Sequence, residues 1–202
     1  MAYNQFKKLE QLRKAFGIQE KKISWLPQVY ENVPISQFLI QALLDAKNEG
    51  LASEKAKSEY IVTPVLKELK RNNPDKFSSF SGYEFEVDKK QGLTGFCDFI
   101  LSAEPQKMEI TAPIFCLVEA KKGEIEGGLA QCGAEMYAAQ LYNAQEGLPT
   151  KVIYGCVTNA FSWCFLKLED HILYIDPEYV SLNFTESQEV LAVLQWILNE
   201  SL

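Results

Sequence analysis

A chain of 202 residues, 47% hydrophobic and 23% charged, is sized for one well-packed domain and composed like an ordinary globular protein. Its net charge of −7 argues against a general nucleic-acid binder, and no apolar run approaches the ~20 residues of a membrane helix. The charge is uneven: residues 1–122 hold 18 of the 20 Lys and Arg with 16 of the 27 Asp and Glu, leaving 2 and 11 for residues 123–202. A polyanion would therefore approach the N-terminal part, where Lys7, Lys8, Lys67, Lys70, Lys89 and Lys90 lie. The five cysteines are odd in number and lack CxxC spacing, which suits buried reduced thiols in a cytoplasmic protein.

Phe6, Leu9, Leu12 and Phe16 alternate with charge, so the N-terminus reads as an amphipathic helix and not as a signal peptide. Pro27 and Pro34 bracket a connector, and Pro34 suits the first turn of a second helix carrying Leu39 and Leu43 up to Gly50. Ser53 suits the cap of a third helix, with a kink or break at Pro64. Strands are expected at 80–87, 93–102 and 114–121, the first two joined by a turn at Asp88-Lys89-Lys90-Gln91-Gly92. Gly127-Gly128 opens a helix over 128–145 more readily than a phosphate cradle, since no GxxxxGK[ST] or GxGxxG surrounds it. A central apolar strand over 151–159, a hairpin over 162–175 and a last helix from about 186 complete the chain. The aromatics Tyr83, Phe85, Phe96, Phe115, Phe161, Trp163 and Phe165 fall at strand spacing and read as core in preference to base-stacking surface. This order calls for an α/β fold, a central mixed β-sheet flanked by helices.

Two strand-like runs carry acid where a buried strand should have none. The first contains Asp98 and the second reads Val118-Glu119-Ala120-Lys121. Side chains at i and i+2 share a face, so Glu119 and Lys121 point together, and Asp98 can join them if the runs pair. Such a group is costly to bury unless compensated, and a divalent cation is the usual compensation. A solvated cross-strand ion pair between Glu119 and Lys121 is the competing reading. His171 is the only histidine, which removes most histidine-based metal and Ser-His mechanisms.

Asp98 followed by Glu119-Ala120-Lys121 resembles the PD-(D/E)XK (restriction-endonuclease-like) nuclease superfamily. Other segments add to the resemblance. Ser58-Glu59-Tyr60-Ile61-Val62-Thr63-Pro64 looks like the superfamily's first helix, and Gln131 sits where many members have a glutamine. Val157-Thr158-Asn159-Ala160 with Trp163 is similar to the TNG…W segment near the N-terminus of type I restriction subunits and of related stand-alone proteins. Two positions depart from the pattern: Cys97 replaces the proline before the first acid, and Glu135 stands where a RecB-like helix has tyrosine.

The resemblance implies a single domain over 1–202. It comprises an N-terminal helical extension (1–50), a nuclease core of order αβββαβ (53–159) and a C-terminal hairpin plus helix (160–202). It also implies DNA cleavage with Mg²⁺ or Mn²⁺. Asp98, Glu119, the carbonyl of Ala120 and Glu59 would hold the metal, with Glu54 as the alternative acid, and Lys121 and Gln131 would assist catalysis. A homodimer, or a helicase or methyltransferase partner, belongs to the same expectation. The alternative is a catalytically silent module of the same fold that binds nucleic acid or a partner protein.

Overall fold

The computed structural model describes residues 2–202. Strands β1 (Gln19–Lys22), β2 (Ser78–Asp88), β3 (Leu93–Ser102), β4 (Ile114–Ala120), β5 (Val152–Thr158), β6 (Ser162–Glu169), β7 (Ile172–Ile175) and β8 (Val180–Ser181) form one mixed sheet. Its order is β1-β7-β6-β5-β4-β3-β2, with β8 pairing β6. Neighbours are antiparallel except β1 with β7 and β4 with β5. A parallel pair needs a crossover, and helix α5 (Glu126–Gln145) provides it between β4 and β5.

Apolar side chains cover both faces, so the fold has three layers. Leu39, Leu43, Val65, Leu69, Val190 and Leu194 pack on one face. They come from α2 (Gln37–Ala46), α4 (Thr63–Asn72) and α6 (Gln188–Ser201). Leu12 and Phe16 of α1 (Leu9–Phe16) join Leu129, Cys132 and Met136 of α5 on the other. Every residue of β4 is buried, as expected for a strand covered on both sides. The five cysteines are all buried and free.

The third helix is three joined pieces. Ser53 caps α3 (Glu54–Lys57) by accepting from Ala56 N, 3.0 Å away. The turn Ser58–Val62 is widened to a π-helix, in which Thr63 N reaches back to Ser58 O, and α4 begins with Pro64 in its first turn. Proline lacks the N–H that would continue an i→i−4 ladder, so the widened turn sits where the sequence marks a break.

Several elements differ from what the sequence predicts. The N-terminal helix shrinks to α1, preceded by a 3₁₀ turn at Tyr3–Gln5 and stopped at Gly17 with φ +73°. Pro34 does not open the second helix; Ser36 caps it, its hydroxyl accepting from Leu39 N. Strands β1 and β8 were not expected. Phe96 is 67% exposed instead of core, while Phe85, Phe115, Trp163 and Phe165 are buried. Among the described residues no helix is long and apolar enough to cross a membrane.

Candidate functional site

The last paired residues of β3 and β4 are Phe99 and Val118, and beyond them the two strands part. Successive N–H groups of a strand point to opposite neighbours. Lys121 N donates to Thr158 O of β5 at 2.7 Å, and Ala120 N, facing β3, donates to Asp98 Oδ2 at 2.7 Å. A carboxylate thus takes the place of the missing backbone rung. Continuing the register sets Asp98 against Glu119 across the opening.

Glu119 is 2% exposed. Lys121 Nζ donates to its Oε1 and to Gln131 Oε1 on α5, the latter at 3.3 Å. Gln131 Nε2 donates in turn to Glu135 Oε1 at 3.1 Å, one helical turn further on. Glu119 Oε2 and Glu135 Oε2 are both buried without a partner. Gly128 lets the lysine pass, because a Cβ there would stand 3.0 Å from Lys121 Cε and 2.6 Å from Val157 Cγ1.

The electrostatics follow from burial of several acids together. Burial raises the Glu119 pKa, and the neighbouring Asp98 charge raises it further against the pull of Lys121. Asp98 is also raised by burial, partly offset by the Ala120 N–H and by Lys121. Burial lowers Lys121, but the charge and hydrogen bond of Glu119 outweigh it, and its pKa is raised overall. Glu135 lies well above the usual carboxylate range, first through burial and then through Glu119.

The two acids expected from the first helix differ in placement. Glu59 lines a groove of about 330 Å³ with Asp98, Thr63 and Gly82, but its side chain is 56% exposed and its Oε1 lies 3.7 Å from Lys55 Nζ. Glu54 lines the same groove and accepts from Lys122 N at 3.1 Å. Its charge acts on Asp98, Glu119 and Lys121 alike, so it is the helical acid coupled to the site. The Thr158-Asn159-Ala160 turn braces the site from the β5 side. Asn159 Nδ2 donates to Gly123 O at 3.2 Å, and Trp163 Nε1 donates to Ala160 O at 3.0 Å. His171 lies in the tight turn between β6 and β7 with φ +60°, remote from this group in the sheet order.

Glu135 is the site residue the sequence reasoning passed over. Its signal was available: an acid four residues after Gln131, in a helical run of small and apolar residues.

Among the described residues no group of three or more His, Cys, Asp or Glu is arranged to hold a metal ion. The carboxylates that could reach a shared cation are Asp98 and Glu119, facing each other where β3 and β4 part. This fits Mg²⁺, which keeps several waters and is commonly bound through one or two carboxylates plus substrate phosphate. The unpartnered Glu119 Oε2, beside a second carboxylate, is the oxygen a cation would satisfy. No protein-family model matches the chain, and no curated protein matches it.

Proposed function

We propose that this chain is a metal-dependent deoxyribonuclease of the PD-(D/E)XK (restriction-endonuclease-like) type, an endonuclease hydrolysing DNA phosphodiester bonds. One observation carries the reading: Asp98, Glu119 and Lys121 meet where β3 and β4 part, with a buried glutamate oxygen left unpartnered. The order α4, β2, β3, β4, α5, β5 supports it, following the helix–strand–strand–strand–helix–strand order that the resemblance implies.

Asp98 and Glu119 would hold Mg²⁺ or Mn²⁺, and the resemblance adds the Ala120 carbonyl, with Glu54 as the helical acid whose charge reaches both. When bound, the metal supplies polarisation of the phosphodiester and a lower pKa for water. Lys121 keeps its proton, because Glu119 raises its pKa, and so presents a cation to the developing charge on phosphorus or to the attacking water. Glu119 orients that ammonium through Oε1 and leaves Oε2 for the cation. Asp98 is held through Oδ2 by Ala120 N and lines the groove, so this carboxylate is already positioned there.

Purified protein should cleave single-stranded, duplex or branched DNA with Mg²⁺ or Mn²⁺, and should lose this with EDTA. Absence of both metal binding and cleavage would move the assignment to a silent module binding nucleic acid or a partner protein.

A further inference from the structure

Glu135 has no place in the chemistry so far, yet it is 0% exposed and one of its oxygens is unpartnered. An idle buried carboxyl is costly, so its retention calls for a reason. The hydrogen bonds supply one. An amide side chain has an acceptor end and a donor end, and its neighbours decide which end faces which way. Gln131 Nε2 donates to Glu135 Oε1, and this turns Gln131 Oε1 towards Lys121 Nζ. With the amide reversed, two donors would confront each other and the ammonium would lose its second acceptor. Burial first, and then the Glu119 charge, raise the Glu135 pKa well above the usual carboxylate range, against the pull of the Gln131 hydrogen bond.

Tyr3 lies in the same core cluster as the apolar residues of α5 around Glu135. Its hydroxyl is buried and unpartnered, and Glu135 contributes to its raised pKa.

We propose that Glu135 is a positioning residue, acting through the amide of Gln131 to fix the Lys121 ammonium between Glu119 and Gln131. The inference rests on the proposed nuclease reading for its catalytic consequence, but the positioning itself can be read without any substrate. In proton–nitrogen spectra of side-chain ammonium groups, Lys121 should give a slowly exchanging signal, assigned by its loss in Lys121→Met. Glu135→Leu should abolish that signal and lower kcat about tenfold or more, as loss of an outer hydrogen-bond partner commonly does, while the Mn²⁺ Kd stays within about twofold. Glu135→Gln supplies an acceptor oxygen again and should recover both signal and kcat. If Glu135→Leu does not fold, Gln131→Met breaks the same link from the other side and should lose the signal equally. A folded Glu135→Leu protein, or Gln131→Met in its place, that keeps the ammonium signal overturns the proposal. If the unchanged protein cuts no DNA, the nuclease reading fails on its own, and the ammonium signal still decides the role of Glu135.

Discussion

The buried acids on the two sides of this molecule are treated differently. Glu68 and Asp176 are 0% and 2% exposed, and each has both oxygens occupied. Glu68 takes Ser36 N on one oxygen and Ser36 Oγ on the other, with Arg71 close by. Asp176 takes Trp25 N and Leu26 N on one oxygen and Glu178 N on the other. These acids tether connectors: Glu68 holds the start of α2 on α4, and Asp176 holds the loop after β1 against the end of β7. Glu119 and Glu135 are as deeply buried, yet each keeps an unpartnered oxygen. A buried acid whose oxygens are all bonded has done its work on folding, whereas one left open retains capacity for a further ligand or proton.

The largest expected effect separates the two kinds of acid by activity. On the proposed reading, Asp98→Ala, Glu119→Ala and Lys121→Ala should each lower DNA cleavage by about 10³-fold or more, and pairs should add little, because the three would stabilise one transition state as a unit. Calorimetric titration with Mn²⁺ should show binding lost in the two carboxylate variants. Lys121→Ala should keep binding or tighten it, since a like charge has gone. Equal loss of binding in all three would mean that Lys121 is only a structural partner of Glu119.

Stability should rank the acids the other way. Glu68→Ala leaves the Ser36 groups without their acceptor and should cost about 2 kcal/mol in urea unfolding. Glu119→Gln removes a charge whose burial is incompletely compensated and should leave stability unchanged or raise it. If both variants destabilise alike, the contrast between tether and site is void.

Gly128→Ala tests how closely the site is packed. The added methyl meets Val157 and the Lys121 stem, so about 1–3 kcal/mol of stability should go, and turnover should fall as the lysine is displaced. Gly127→Ala, whose Cβ would meet nothing within 4 Å, should change neither quantity.

The smallest effect is in pH dependence. Asp98, Glu119 and Glu135 have pKa values raised in the folded state, so the folded protein binds their protons more tightly than the unfolded chain. Their contribution is fully present below the ordinary carboxylate range and is lost as pH rises through the raised values. Without metal, Tm should therefore drift down towards neutral and alkaline pH. Added Mg²⁺ or Mn²⁺ should offset more of the drift at higher pH, where ionised carboxylates are demanded. A metal effect on Tm that does not grow with pH would sever the link between these acids and a cation.

Much of this was legible in the residues themselves. The period-two and all-apolar runs of β2, β3, β4 and β5 declared a sheet, and the acids interrupting β3 and β4 located the candidate site. Glu119 and Lys121 two apart on a strand had to share a face, and Ser53 and Pro64 marked the start and the break of the first core helix. These features depend on chain geometry within a few residues, which sequence spacing states directly. The rest depended on which elements meet. All four residues of β1 (Gln19, Glu20, Lys21 and Lys22) are exposed, and it is a strand only because β7 offers it a free edge. Glu54, not Glu59, is the acid coupled to the site, because Glu54 is held by Lys122 N just beyond β4 while Glu59 is 56% exposed beside Lys55. Glu135 joins Lys121 only through a glutamine on a crossover helix that returns over β4. Local spacing fixes the direction of a side chain, but burial and partnering come from packing between distant segments, and only the folded chain decides those.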